Sequence, residues 1–146
     1  MFENYQRKKA AKKKEKTSMV VHGRTSSRRC TIPRDQVCAH ENLFQNYFSN
    51  HPLYTLSDFR NRFRMGRELF IRIMEQIVHF DDYFKQKPDA TGKLGFSLQV
   101  KMTAVMRMLA CGTAADLNDD YLKIAETTSF EAYKRFFHAV NNGFIR

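Results

Sequence analysis

The sequence predicts an all-α domain of about five to six helices, preceded by a disordered basic tail. Three observations carry this. No segment sustains the period-two alternation that marks a half-buried strand. Apolar residues recur instead at three- and four-residue spacing, most clearly in "RELFIRIMEQIVHF" and "SLQVKMTAVMRML". Helix-starting and helix-ending residues stand at the edges of these stretches. There is no internal repeat in the sequence. Residues 1–29, rich in charge and poor in apolar side chains, form the expected tail, and residues 30–146 the helical domain.

Order is expected to begin near "TIPRD", where Pro33 and Asp35 read as a helix entry. Val37, His40, Phe44, Tyr47 and Phe48 then share one face. "SNHP" closes this helix, because Pro52 disfavours a helical His51. Ser57 is expected to cap "DFRNRFR", with Phe59 and Phe63 inward at i, i+4, and Gly66 to break it. In the next helix Leu69, Phe70, Ile73, Met74, Ile77 and Phe80 form a broad apolar stripe, with Arg72, Glu75 and His79 opposite. Residues 81–96 contain Pro88, Gly92 and Gly95 and read as a loop. Ser97 caps the following helix, whose stripe is Leu98, Met102, Val105, Met106 and Leu109, and Gly112 stops it. "ADLNDDYLKIA" reads as a short helix with acids where the helix dipole favours them. "TTS" is expected to cap a last helix over about 129–143.

The net charge of +10 is unevenly placed. Residues 1–34 hold 11 Lys/Arg against 2 acidic residues, while residues 35–146 hold 14 against 13. The tail is therefore the polyanion-binding part, and its cluster Arg7, Lys8, Lys9, Lys12, Lys13, Lys14 and Lys16 also reads as a nuclear-localisation patch. A solvated arm with no dedicated partner has the same composition. No apolar run reaches the roughly 20 residues of a membrane span, and the N-terminus lacks the apolar core of a secretory signal. Three irregularly spaced cysteines, Cys30, Cys38 and Cys111, suit free thiols in a reducing compartment.

The last three helices, about residues 97–144, have the layout of a trihelical helix-turn-helix unit. On the final helix Phe130, Tyr133, Phe137, Val140 and Phe144 fall on one side, expected to face the core. Glu131, Arg135, His138 and Asn142 fall on the other, with Lys134 at the flank. Arg135 can pair with guanine, Asn142 with adenine, and Lys134 with phosphate; Ser129 and the helix start can hold a phosphate. An ordinary amphipathic helix shows the same pattern. Arg60, Arg62, Arg64 and Arg67 cluster around Phe59 and Phe63, either to grip a DNA backbone or to pair with Asp58, Glu68 or Glu75.

Little else carries chemistry. Cys38 and His40 are too few for zinc, which takes four ligands at regular spacing, and His40 reads as a core-edge histidine. The acid pairs Asp81-Asp82 and Asp119-Asp120, with Asp89, Asp116 and Glu126, lie in a loop and at helix starts. Nothing there suggests convergence on two metal ions.

"RRCTIPRDQVCAHENLFQNYF", "YTLSDFRNRFRMGRELFIRIMEQI", "DATGKLGFSLQVKMTAVMRMLACG" and "DLNDDYLKIAETTSFEAYKRFFHAV" together resemble the N-terminal region of plant PIF/Harbinger-type transposase-derived proteins. The resemblance covers about residues 28–144 in order. Its most specific pieces are "FRNRFRM", "KMTAVMRMLACG" and "DDYLKIAETT". It implies a nuclear protein whose helix-turn-helix region precedes an RNase H-like nuclease domain. There an Asp-Asp-Glu triad holds divalent metal for strand cleavage and transfer. The matched region ends before that domain, so the resemblance carries over DNA binding and no catalytic residue. The expected chain is not an enzyme and holds no cofactor, the metal belonging to the nuclease domain. Its expected partners are DNA and the nuclear import machinery, and it has no membrane role. The alternatives are a protein-interaction module, docking other proteins or itself, and a partial gene product without independent function.

Overall fold

The structure, a computed structural model, describes residues 34–144. The seven tail cations named above, Cys30 and Pro33 lie outside the described residues, and so does the side chain of Phe144. The described part is all-helical, as expected. Its α-helices are α1 (Gln36–Leu43), α2 (Leu56–Phe63), α3 (Arg67–Phe80), α4 (Leu98–Cys111), α5 (Leu117–Leu122) and α6 (Glu126–Ala139). A wider π-helical turn prolongs α1 over Phe44–Phe48 and α6 over Val140–Phe144. Among the described residues the only β-type pairing is an isolated bridge between Pro88 and Leu94.

Helix α4 is the axis of the fold and packs on each of the other five α-helices. Seven consecutive residues, Val100 to Met106, are buried in it. The expected stripe was narrower: Met102, Val105 and Met106 lie in the core, whereas Leu109 is exposed. Ser97 caps α4 through Val100 N–H, and Gly112 ends it in the left-handed conformation, φ 61°.

Asp35 caps α1, accepting from Cys38 N–H at 3.0 Å. The buried face of α1 is Ala39 and Leu43, so Val37 and Phe44 point outward, contrary to expectation. The π turn explains how Tyr47 and Phe48 both still reach the core: a wider turn rotates less per residue and holds the two neighbours inward. Ser57 does not cap α2. Thr55 does, in a reciprocal capping box with Asp58, which puts the helix start at Leu56, two residues earlier than a Ser57 cap allows. Phe59 and Phe63 are buried as expected, with ring centroids 4.5 Å apart. Phe70 closes edge-on to Phe59 at 5.5 Å and 88°. Such pairs add about 0.5–1.5 kcal/mol each beyond area burial. In α3 Phe70, Met74 and Ile77 are buried, but Leu69 and Phe80 at the stripe's edges are exposed. The segment after α3 is more than a loop: Asp82–Phe84 forms a 3-10 turn that buries Phe84 completely.

Helix α6 begins at Glu126, so "TTS" forms its first turn and does not cap it. Its core face is Ser129, Ala132, Phe136 and Ala139, rotated from the expected aromatic face. Small residues let α6 approach α4 closely, and Phe136 fills the remaining space. Phe130 and Phe137 are consequently displaced to the flank and are 47% and 45% exposed.

Two stretches share one frame. In α2–α3 and in α5–α6 a short helix meets a 14-residue helix through three residues. The connectors are Arg64-Met65-Gly66 and Lys123-Ile124-Ala125, and each opens with a cation in the left-handed conformation, φ 56° and φ 52°. These are the only non-glycine residues with positive φ among the described residues.

Candidate nucleic-acid interface

The expected DNA-facing residues divide into those free to meet a ligand and those already engaged. Arg67 is engaged. Its Nη2 donates to the carbonyls of Phe48 at 2.8 Å and Ser49 at 3.3 Å. It satisfies acceptors left open where the π turn ends, a structural role. Arg135 is engaged too. Its Nε donates to Glu131 at 2.8 Å, its Nη1 to Asp81 at 3.2 Å, and the guanidinium lies 4.6 Å over the Tyr83 ring. These carboxylates raise its already high pKa. Arg135 fastens the Asp82–Phe84 turn to α6 and is not free to read guanine as it stands. Ser129 is fully buried, so its hydroxyl cannot hold a phosphate at the surface.

The rest of the α6 surface is available. Lys134 is exposed and its Nζ sits 4.6 Å over the Phe130 ring. His138 and Asn142 are exposed, with the Asn142 amide 2.8 Å from an imidazole nitrogen. Arg60, Arg62 and Arg64 are exposed on α2 and its turn. Among the described residues no carboxylate lies within ion-pair distance of any of the three, so the expected pairing with Asp58, Glu68 or Glu75 does not form. Their spacing separates them. Arg60 lines a groove with Leu56, Ser57, Gly66, Arg67 and Glu68. Arg62 lies on the opposite flank, in a cleft with Tyr47, Tyr54, Asp58 and Asn61.

Sequence reasoning missed three features. Lys101 is buried, donating to the Tyr83 carbonyl at 2.7 Å and lying 4.6 Å over that ring. Burial, aided by Lys87, lowers its pKa. Arg34 forks onto Asp119 through two 2.7 Å bonds, joining the start of the domain to α5. His40, on the core edge as expected, is 2.8 Å from the Ser97 hydroxyl. That pair faces a cleft of about 510 Å³ beside the start of α4. Among the described residues no group of three or more His, Cys, Asp or Glu is placed to hold a metal ion. No helix there is long and apolar enough to cross a membrane.

Residues 40–78 match the family model of a domain of unknown function, DUF8418. The match spans the second half of α1, all of α2 and most of α3. No curated protein matches the chain, and no solved structure does.

Proposed function

We propose that this chain is a DNA-binding domain without catalytic machinery of its own, acting in the nucleus. This is the role of the N-terminal region of the Harbinger-type transposase-derived proteins it resembles. The observation that supports it best is the contrast among the arginines. Arg34, Arg67 and Arg135 are each held by internal partners, whereas Arg60, Arg62 and Arg64 stand exposed without a carboxylate. Guanidinium groups left in this way suit phosphate oxygens. The trihelical α4–α6 unit would then contribute Lys134, His138 and Asn142, and the tail would add sequence-independent attraction. The DNA-facing surface moves from the start of α6 toward α2, because Ser129 is buried and Arg135 is tied to Glu131 and Asp81.

Fluorescence anisotropy of the full chain on a labelled duplex tests this. With about six phosphates neutralised, affinity falls by about a thousandfold between roughly 50 and 200 mM salt. Replacing Arg60, Arg62 and Arg64 together with Gln flattens the log–log slope by about 0.9 for each phosphate no longer neutralised. An unchanged slope in the triple variant removes α2 from the interface; a flat salt response in the parent chain removes the reading.

One observation favours the protein-interaction reading. Phe130, Tyr133 and Phe137 make a partly exposed aromatic edge along α6, the first pair stacked at 6.3 Å and the second tilted at 5.3 Å. Such edges are enriched at protein interfaces.

A further inference from the structure

The geometry points to the cleft between α1 and α2 as a site for a single unpaired nucleotide, its base stacked on the tyrosine pair and its phosphate on Arg62. The inference rests on the DNA-binding reading for its biological source, and on the cleft itself for its chemistry. Tyr47 and Tyr54 stack at 5.0 Å and 19°. Tyr47 is buried and fixed edge-on against Phe63 at 5.4 Å, so it forms a rigid back wall. Tyr54 is 40% exposed. A half-exposed ring with one side anchored is the arrangement that accepts a further flat ring, because the ordering cost is already met by the fold.

Polar groups complete the set. The cleft holds about 310 Å³ and is lined by Tyr47, Tyr54, Asp58, Asn61 and Arg62. Arg62 lies beside the Tyr47 hydroxyl and draws its pKa down against the larger upward push of burial. It has no carboxylate partner among the described residues, which leaves it for an anion. Asp58 receives the Thr55 hydroxyl and amide on Oδ2 at 2.7 and 3.0 Å, which leaves Oδ1 as an acceptor. Those two bonds hold its pKa below the ordinary carboxylate range. An ionised acceptor beside the Asn61 amide favours a base presenting N–H donors, as guanine does. Behind the cleft, Arg107 lies 5.4 Å over the Tyr121 ring, and Tyr121 accepts from Asn46 at 3.1 Å. That network steadies the π turn carrying Tyr47.

The test uses the full chain in two arms. In the first, guanosine 5′-monophosphate is titrated and the ring protons of the six Tyr are followed by NMR with only tyrosine isotope-labelled, which removes the signals of the 13 Phe. The Tyr54 ring protons shift upfield and saturate, adenosine 5′-monophosphate binds more weakly, and Asn61→Ala weakens both. Absence of a saturable shift overturns the site for a free nucleotide. In the second, a duplex with one unpaired guanine is compared with its fully paired parent by anisotropy. The unpaired guanine gives about tenfold tighter binding, and Tyr54→Leu returns the ratio to about one. A ratio of one in the parent chain overturns the site for a strand nucleotide, and failure of both arms overturns it altogether. Loss of all duplex binding at about 50 mM salt overturns the DNA reading instead, and the mononucleotide arm then decides the cleft alone.

Discussion

The units α2–α3 and α5–α6 share a frame and differ in what fills it. Counted from the left-handed residue of each connector, the position before it is Phe63 or Leu122, and the position after it is Met65 or Ile124. Thirteen residues on stand Ile77 and Phe136. All six are buried or packed against the core. Five residues before and six after, the units diverge. The first has Phe59 and Phe70, rings packed edge to face. The second has Asn118 and Ser129, both fully buried, whose side-chain N and O atoms find no hydrogen-bond partner among the described residues. The units thus share a turn geometry and three apolar positions, and differ at the positions whose packing holds the frame in place. The first unit also lies within the DUF8418 match, apart from the last residues of α3.

The largest test of this contrast is truncation at the equivalent position. Phe70→Ala removes a buried ring and is expected to cost about 3–5 kcal/mol in urea unfolding of the full chain. Ser129→Ala removes only an unpartnered hydroxyl and should stay within about 1 kcal/mol of the parent, or gain. A loss of more than about 2 kcal/mol at Ser129 would mean that the hydroxyl is hydrogen-bonded in solution, and the contrast between the units would shrink accordingly.

Asn118→Leu sharpens the same point with a smaller effect. Leu has a similar size and no polar atoms to desolvate. The expected gain is about 1–2 kcal/mol, read as a higher urea midpoint with unchanged slope. Destabilisation would indicate a satisfied Asn118, and the second unit would then be a polar-networked unit and not a loosely held one.

How much of this was legible in the sequence follows from the range of the forces involved. Several local signals were read well, although two caps were misplaced, at Ser57 and at "TTS", where neighbouring residues could equally start the helix. The Asp35 and Ser97 caps, the Phe59–Phe63 pair, the Gly112 stop and the all-helical class depend on neighbours within a few residues. The rotation of α6 was not legible. Phe130, Tyr133 and Phe137 carry most of the apolar bulk and dominate any periodicity reading. The true face rests on Ser129, Ala132 and Ala139, whose smallness matters only because α4 is there to approach. In α1 two competing faces were present, and an unforeseen π turn chose between them. At the candidate interface, exposure of Arg60 and Arg62 was readable, but they were read as one cluster although residues two apart on a helix face apart. The engagement of Arg135 was not, because Asp81 and Tyr83 lie far upstream. The Tyr47–Tyr54 stack depends in the same way on the chain reversal between α1 and α2.

The smallest effect separates the units by how each short helix is held at its acidic side chain. Asp58 is held by neutral donors, the side chain and backbone of Thr55, and Asp119 by the Arg34 fork. Both carboxylates have folded pKa values below the ordinary value, so both stabilise the fold at any pH above about 3.9, their unfolded value. That stabilisation is lost as pH falls through the depressed folded values. Arg34 keeps its charge throughout, since Asp119 only raises an already high pKa. The variants distinguish the two mechanisms. Asp58→Asn keeps an acceptor for Thr55 and should lower the melting temperature little at pH 7. Asp119→Asn discards a charge that a guanidinium was holding and should lower it more. Because a part-exposed ion pair is screened, added salt should narrow the Asp119→Asn difference and leave Asp58→Asn unaffected. Once the pH is below both depressed folded values, both variants should melt with the parent, whose own Asp58 and Asp119 are then protonated. Equal shifts at pH 7, insensitive to salt, would mean that the Arg34 fork holds α5 no more firmly than a neutral cap holds α2. The asymmetry between the units would then lie in their buried positions alone.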